Sequence, residues 1–214
     1  MKITYFLIVV TVSLFLLGAC GEVREKQPMG TLTKKKVEMT AKEIIYQLEI
    51  FKEREDIQAL SKAIVMLKAL NNYERPDANQ WPSLRKDLAA LWIRVIQVID
   101  IKVDKAFNFN DVPTMNIAAP GSYPSGIASE SISNPELRKQ YEQAIESNSR
   151  KANKYMFQYK LKSIKDSMFQ EAEDYLVALY SECPEEIGEL KKLLYLYESD
   201  KFFESRIDKR LTAK

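Results

Sequence analysis

Residues 81–106 read WPSLRKDLAALWIRVIQVIDIKVDKA, and this stretch decides the fold. Leu84, Leu88, Leu91, Trp92, Val95, Ile99, Val103 and Ala106 recur at the spacing that puts side chains on one face of an α-helix. Ile93, Val98 and Ile101 lie off that stripe. A helix apolar on more than one face is a central helix, surrounded by others. Arg94, Gln97, Asp100, Lys102 and Asp104 interrupt the run, so it does not read as a membrane span. Pro82 suits the first turn, where its missing N–H costs nothing.

Upstream, Thr40 and Glu43 have the spacing of a capping box, which predicts a helix starting there with Ile44, Leu48 and Phe51 on its inner face. A second pattern, Ile57, Leu60, Ile64, Leu67 and Leu70, follows Asp56 and stops near Asn71 and Asn72, before Pro76. Downstream, Asn134, Pro135 and Glu136 open another helix as N-cap, first-turn proline and dipole-favouring acid. Leu137, Tyr141, Ala144, Asn148, Ala152, Tyr155 and Tyr159 form one seam, and Leu161, Ile164, Met168, Ala172, Tyr175 and Leu179 a second. The change of phase near residues 159–161 predicts a turn or kink. Short helices through Ile187, Leu190 and Leu194, and around Phe202, Phe203 and Ile207, complete the chain. No strand pattern competes anywhere. The expected fold is all-α, a bundle of about six or seven helices.

Residues 108–133 break the pattern. Pro113, Pro120, Pro124, Gly121 and Gly126 forbid long regular structure, and Glu130 is the only charge between residues 112 and 133. A loop this long in a compact domain is functional or disordered; small and nearly neutral, this one reads as an ordered strap laid on the helices. The expected body is one helical domain over residues 39–214, with helices in 39–107, the strap in 108–133 and helices in 134–214.

The first residues are of another kind. Lys2 precedes a 15-residue apolar run at 3–17, closed by Leu17, Gly18, Ala19 and Cys20. The run is shorter than the roughly 20 residues of a spanning helix and has the charged, apolar and small-residue parts of a secretory signal. It resembles the signal of bacterial lipoproteins ending in a lipobox. That resemblance implies removal of residues 1–19 and transfer of a diacylglycerol to the Cys20 thiolate. It further implies an exported protein whose partner is membrane lipid, including palmitate, with residues 20–38 as a flexible tether. Gly21 is not the aspartate that favours inner-membrane retention, which points to an outer membrane, facing periplasm or cell surface, where the cell has one. In that tether Lys34, Lys35 and Lys36 are placed to meet anionic headgroups, at about 1 kcal/mol each near the surface. More loosely, residues 112–181 are similar to exported bacterial helical proteins of no assigned activity. The likeness lies in Val112-Pro113, Ala119-Pro120, Asn134 through Arg138, Tyr141-Glu142, Asn148, Lys151-Ala152, Ala172-Glu173 and Leu179 through Ser181, and it transfers no residue role.

Composition narrows the chemistry. Of 32 basic residues only Lys2 lies in 1–19, which leaves 31 against 30 acids in the mature chain. That balance gives no push toward nucleic acid. Cys183 is the only cysteine besides Cys20, so an acylated chain has no intrachain disulfide. There is no histidine, which removes the commonest general base and metal ligand together. No metal, cofactor or catalytic residue is therefore expected. Cys183, before Pro184, reads as an N-cap or a small buried residue.

One patch stands out. Residues 147–165 carry Arg150, Lys151, Lys154, Lys160, Lys162 and Lys165 with no acid, interleaved with Tyr155, Phe157 and Tyr159. Lysines beside aromatics can hold an anionic partner. The bland alternative is a basic helix packed beside the acid-rich stretch 166–204. Glu171, Glu173 and Asp174 read as a solvated face. The function expected is a lipid-anchored, non-catalytic helical module that meets an envelope protein. Two alternatives stay open: a carboxylate-dependent hydrolase of cell-wall glycan, and a small-ligand binder using residues 108–133 as a lid.

Overall fold

The computed structural model describes residues 29–110, 132–196 and 201–213. Cys20, the segment before it and most of the strap lie outside the described residues. Six α-helices occur among the described residues: α1 Lys34–Arg54, α2 Ile57–Ala69, α3 Trp81–Lys102, α4 Pro135–Tyr180, α5 Ile187–Leu196 and α6 Lys201–Thr212. No strand occurs among them, beyond an isolated bridge between Thr31 and Glu74. The fold is all-α.

The first helix starts earlier than Thr40. Thr33 is its N-cap, accepting from the Lys36 N–H at 3.3 Å. Val37 extends the Ile44–Leu48–Phe51 face upstream and is buried, as is Leu32 before the cap. Three lysines do not stop this, because lysine is a good helix former. The expected tether is correspondingly shorter. Met29 N–H donates to the Asn72 carbonyl at 3.1 Å, Leu32 N–H to Glu74 at 2.9 Å and Glu74 N–H to Gly30 at 3.0 Å. Residues 29–38 belong to the body.

Glu55 ends α1 in the left-handed region (φ 54°, ψ 31°), its N–H returning to the Phe51 carbonyl at 2.8 Å. Asp56 then caps α2 by accepting from Gln58 N–H at 2.8 Å. Two residues thus turn the chain through a hairpin. α3 runs back between its neighbours with eleven buried side chains. Ile93 and Val98, off the main stripe, are buried too, while Ile101 is 68% exposed. Trp92 is buried against Tyr175 of α4, ring centroids 5.0 Å apart.

α4 is one unbroken helix, and the turn expected near residues 159–161 is absent. No glycine or proline lies within it after Pro135, and a kink needs such a cause. The phase change has another origin: the two halves face different neighbours. From Leu161 onward Met168, Phe169, Ala172, Leu176 and Tyr180 join the main core. Before Phe157, Tyr141 is the one fully buried side chain of α4, packed with Ile132, Leu137 and Ile145 in a separate small cluster. α1, α2, α3 and the second half of α4 form the bundle; α5 packs on α3, and α6 on α4. At about 1.5 Å per residue, the half of α4 before Tyr155 extends about 30 Å beyond the main core.

Candidate interaction surface

The basic stretch falls on the part of α4 where the bundle ends. Gln158 makes the joint and is buried. Its Nε2 donates to the Lys102 carbonyl at 3.2 Å and its Oε1 accepts from Asp104 N–H at 2.9 Å. The two groups it satisfies are freed where α3 ends. Phe107 and Phe109 follow that end and meet α4. Phe107 lies 5.1 Å from Phe109 and 5.5 Å from Tyr155, and Tyr155 stacks on Tyr159 at 6.3 Å. The Tyr155 hydroxyl donates to the Phe109 carbonyl at 3.0 Å. Lys154 stands over Phe107 at 6.0 Å and Lys162 over Phe109 at 5.5 Å.

Only part of the predicted patch is brought together. Lys154 pairs with Asp104 at 3.3 Å, Lys162 with Asp166 at 3.0 Å and Arg150 with Glu146 at 2.5 Å. Lys165 is bonded to Asp100 and largely buried. Lys151 and Lys160 are exposed, but helical spacing puts Lys160 on the side away from Lys154 and Lys162. Two of the neutralising acids, Asp100 and Asp104, come from the end of α3, one, Glu146, from α4 itself, and only Asp166 from residues 166–204. What remains is an aromatic ladder edged by partly neutralised lysines.

Other acids of 166–204 serve elsewhere. Glu171 takes Lys68 of α2 at 2.6 Å. Glu173 is buried and held by Arg206 at 2.8 Å and Arg210 at 3.0 Å. Its reading as a solvated face is therefore corrected: two long arginines of α6 reach over it. Asp174 is exposed, and Arg210, then Gln170, hold its carboxyl below the usual range by hydrogen bonds. These contacts dock α6 on α4.

A second cluster was not legible from the sequence. Arg85 of α3 is 1% exposed. Its Nη1 donates to Cys183 Sγ at 2.7 Å, its Nη2 to Glu186, and its guanidinium lies 5.3 Å from the Tyr180 ring centroid. Burial works against the cation, but hydrogen bonds to Cys183 and Glu186 outweigh it and keep the guanidinium above its ordinary value. Burial pushes the Tyr180 phenol up to about 12, with Arg85 opposing. Burial likewise pushes Tyr175 far up, with Arg75 slightly opposing. Cys183 precedes the short turn Pro184–Glu186 but makes no side-chain capping bond; it is half-buried and serves Arg85 instead.

Two of the grooves among the described residues are wide and open to the surface. One, of about 390 Å³ between α5 and α6, places Glu204 and Asp208 on its rim, with Asp208 tied to Lys191 at 2.7 Å. The other, of about 420 Å³, is apolar and lies where the described chain begins, between α1 and α2. No group of metal-ligating side chains occurs among the described residues, and no described helix is long and apolar enough to cross a membrane.

Compared with protein-family models, curated proteins and solved structures, the chain matches none.

Proposed function

We propose that this chain is a bacterial lipoprotein, anchored through acylated Cys20, whose helical body is a non-catalytic interaction module of the cell envelope. Support for the anchor is the signal anatomy of residues 1–21. The observation that carries the module reading is α4. A 46-residue helix spends its second half in the core and sends the first half past it, carrying Lys151 and Lys154 on exposed positions. In proteins most helical stability comes from packing of an apolar face, which a partner along the arm would supply. Its seam of Leu137, Tyr141 and Ile145 packs with Ile132 in a cluster apart from the main core. The partner is an envelope protein that lies along this arm, reading aromatic rings and lysines together. The membrane is the outer one where the cell has it.

The test is direct. A photo-reactive amino acid replaces Lys151 on the arm or Ser163 beside the core, in cells making the full chain. A discrete protein adduct from position 151 and none from 163 is the expected result. If positions 142, 151 and 154 all yield no adduct, the arm is not an interface. Labelling with palmitate tests the anchor separately, since wild type takes the label and Cys20→Ala does not.

A further inference from the structure

We infer that the end of the bundle where the described chain begins is a seat for an anionic phospholipid surface. Met29, Met39, Met66 and Tyr73 line the apolar groove there, with Lys36 and, about two turns further along α1, Glu43 among its polar lining. Met29 is 57% and Met39 61% exposed, large apolar side chains held in water. Methionine is flexible and polarisable, suited to a surface that adapts to its occupant. Lys34, Lys35 and Lys36 form the first turn of α1, and no acid accompanies them. The helix dipole disfavours cations at that position, so three in a row oppose the helix they start. Lys36 is partly accommodated over the Tyr73 ring at 5.7 Å.

The chain itself says which surface this end meets. Three backbone hydrogen bonds fix residues 29–32 to residues 72–74. The nine-residue step from Cys20 to Met29 spans at most about 30 Å when fully extended. With Cys20 acylated (the inference rests on that reading), this end cannot leave the neighbourhood of the bilayer. The lysines meet phosphates and the thioethers reach the headgroup–acyl boundary. Apolar insertion and charge attraction are the two terms that hold an interfacial surface. A lipid chain on Cys20 is then the first signal for membrane attachment and this face the second.

A benzophenone amino acid at Met39, or at Met156 midway along α4, is placed in the full chain reconstituted with labelled phosphatidylglycerol vesicles. Position 39 should capture phospholipid at least several-fold more than position 156, and more from phosphatidylglycerol than from phosphatidylcholine. The double variant Lys34→Glu with Lys35→Glu should weaken vesicle association about tenfold or more at low salt, since each basic residue near such a surface has an appreciable share of the attraction. That variant suits the helix dipole, so a loss is not unfolding. Equal capture at 39 and 156, or a double variant that binds as wild type, overturns the seat. Failure of the anchor is read separately, from an unmodified N-terminal mass. Vesicles added to unacylated full-length protein then still decide the seat, by capture or its absence at position 39.

Discussion

Replacing Arg85 with methionine should cost less stability than replacing its partner Glu186 with alanine, although Arg85 is the more buried of the two. Their side chains are 1% and 25% exposed. Methionine keeps much of the aliphatic volume that Arg85 fills in the core. It forfeits the bonds to Cys183 and Glu186 and the stacking on Tyr180. A hydrogen bond to a charged group contributes about 1.5–3 kcal/mol, and a partly desolvated cation–π contact about 1–2 kcal/mol. Against that loss, the guanidinium's desolvation, several kcal/mol in a dry site, is no longer incurred. Glu186 can turn its carboxylate to water, so no charge is stranded. The net cost should be about 1–2 kcal/mol.

Glu186→Ala reverses the situation. The guanidinium stays buried with only a thiol and a ring face, and breaking a buried pair from that side costs about 3–5 kcal/mol. The double variant has neither charge and should fall close to Arg85→Met alone, an interaction of about 2 kcal/mol or more between the sites. Urea unfolding of the purified chain in detergent, followed by far-ultraviolet circular dichroism at a shared m-value, measures all three. If Glu186→Ala proves milder than Arg85→Met, or the two losses simply add, the guanidinium is not the desolvated charge described above.

Further outcomes follow from other contacts. Glu173→Gln removes the charge that two arginines of α6 share at a buried position, and should cost about 2–4 kcal/mol with faster amide exchange confined to α6. Tyr180 is raised from 10 to about 12, so its contribution to stability is complete below pH 10 and lost as pH rises toward 12; Tyr180→Phe should flatten that alkaline limb, as tyrosinate absorbance and unfolding midpoints would show together. For Asp174 the sign is opposite: its folded value is lowered from 3.8, so stability present above that pH is lost as pH falls through the lower value, and Asp174→Asn should blunt acid unfolding. Glu55→Gly relieves a left-handed residue at the α1–α2 turn, and after the extra entropy of the unfolded glycine it should raise stability by up to about 1 kcal/mol.

Helical periodicity made the bundle legible, because burial in a helix repeats at a spacing the sequence carries openly. Leu84 through Ile99 mark a central helix by their spacing alone, and Asp56 marks the break between the first two helices as plainly. Ends were less legible. Thr40 and Glu43 have the spacing of a capping box, yet Val37 and Leu32 continue the apolar face and carry the helix start upstream to Thr33. Long polar side chains were the hardest to read. Arg85, Gln158 and Glu173 are buried because a distant segment supplies Cys183 and Glu186, Asp104 N–H, or Arg206 and Arg210. No local spacing encodes that. The basic run was visible in the sequence, but its neutralisation by Asp100 and Asp104 depends on where α3 ends against α4. One cue for Gln158 was present: it sits among lysines and aromatics at the position where the helix phase changes.

The chain's entry and the arm of α4 lie at opposite ends of one helix. Tyr175 and Leu179 line a pocket with Leu32, Tyr73 and Trp81, beside the groove that holds Met29. From Tyr175 back to Pro135 the same helix runs about 60 Å at about 1.5 Å per residue. A body seated on a bilayer through Met29, Met39 and the first-turn lysines therefore holds its arm at a distance set by α4 and not by a slack tether. On the proposed seat the three backbone bonds at residues 29–32 matter for the same reason: they make those residues part of the bundle, which would couple position at the membrane to the orientation of the arm. A flexible leader would let the arm sweep through every direction within reach. Bonding from residue 29 onward leaves fewer free residues before the body and restricts it, and a partner that binds the arm would then forgo less orientational freedom on binding. The seat and the arm are thus two parts of a single geometric argument. Weakening the first with Lys34→Glu and Lys35→Glu should reduce adduct formation at position 151 in cells while leaving α4 itself folded. Adducts at wild-type yield in that variant would mean that the two ends act independently.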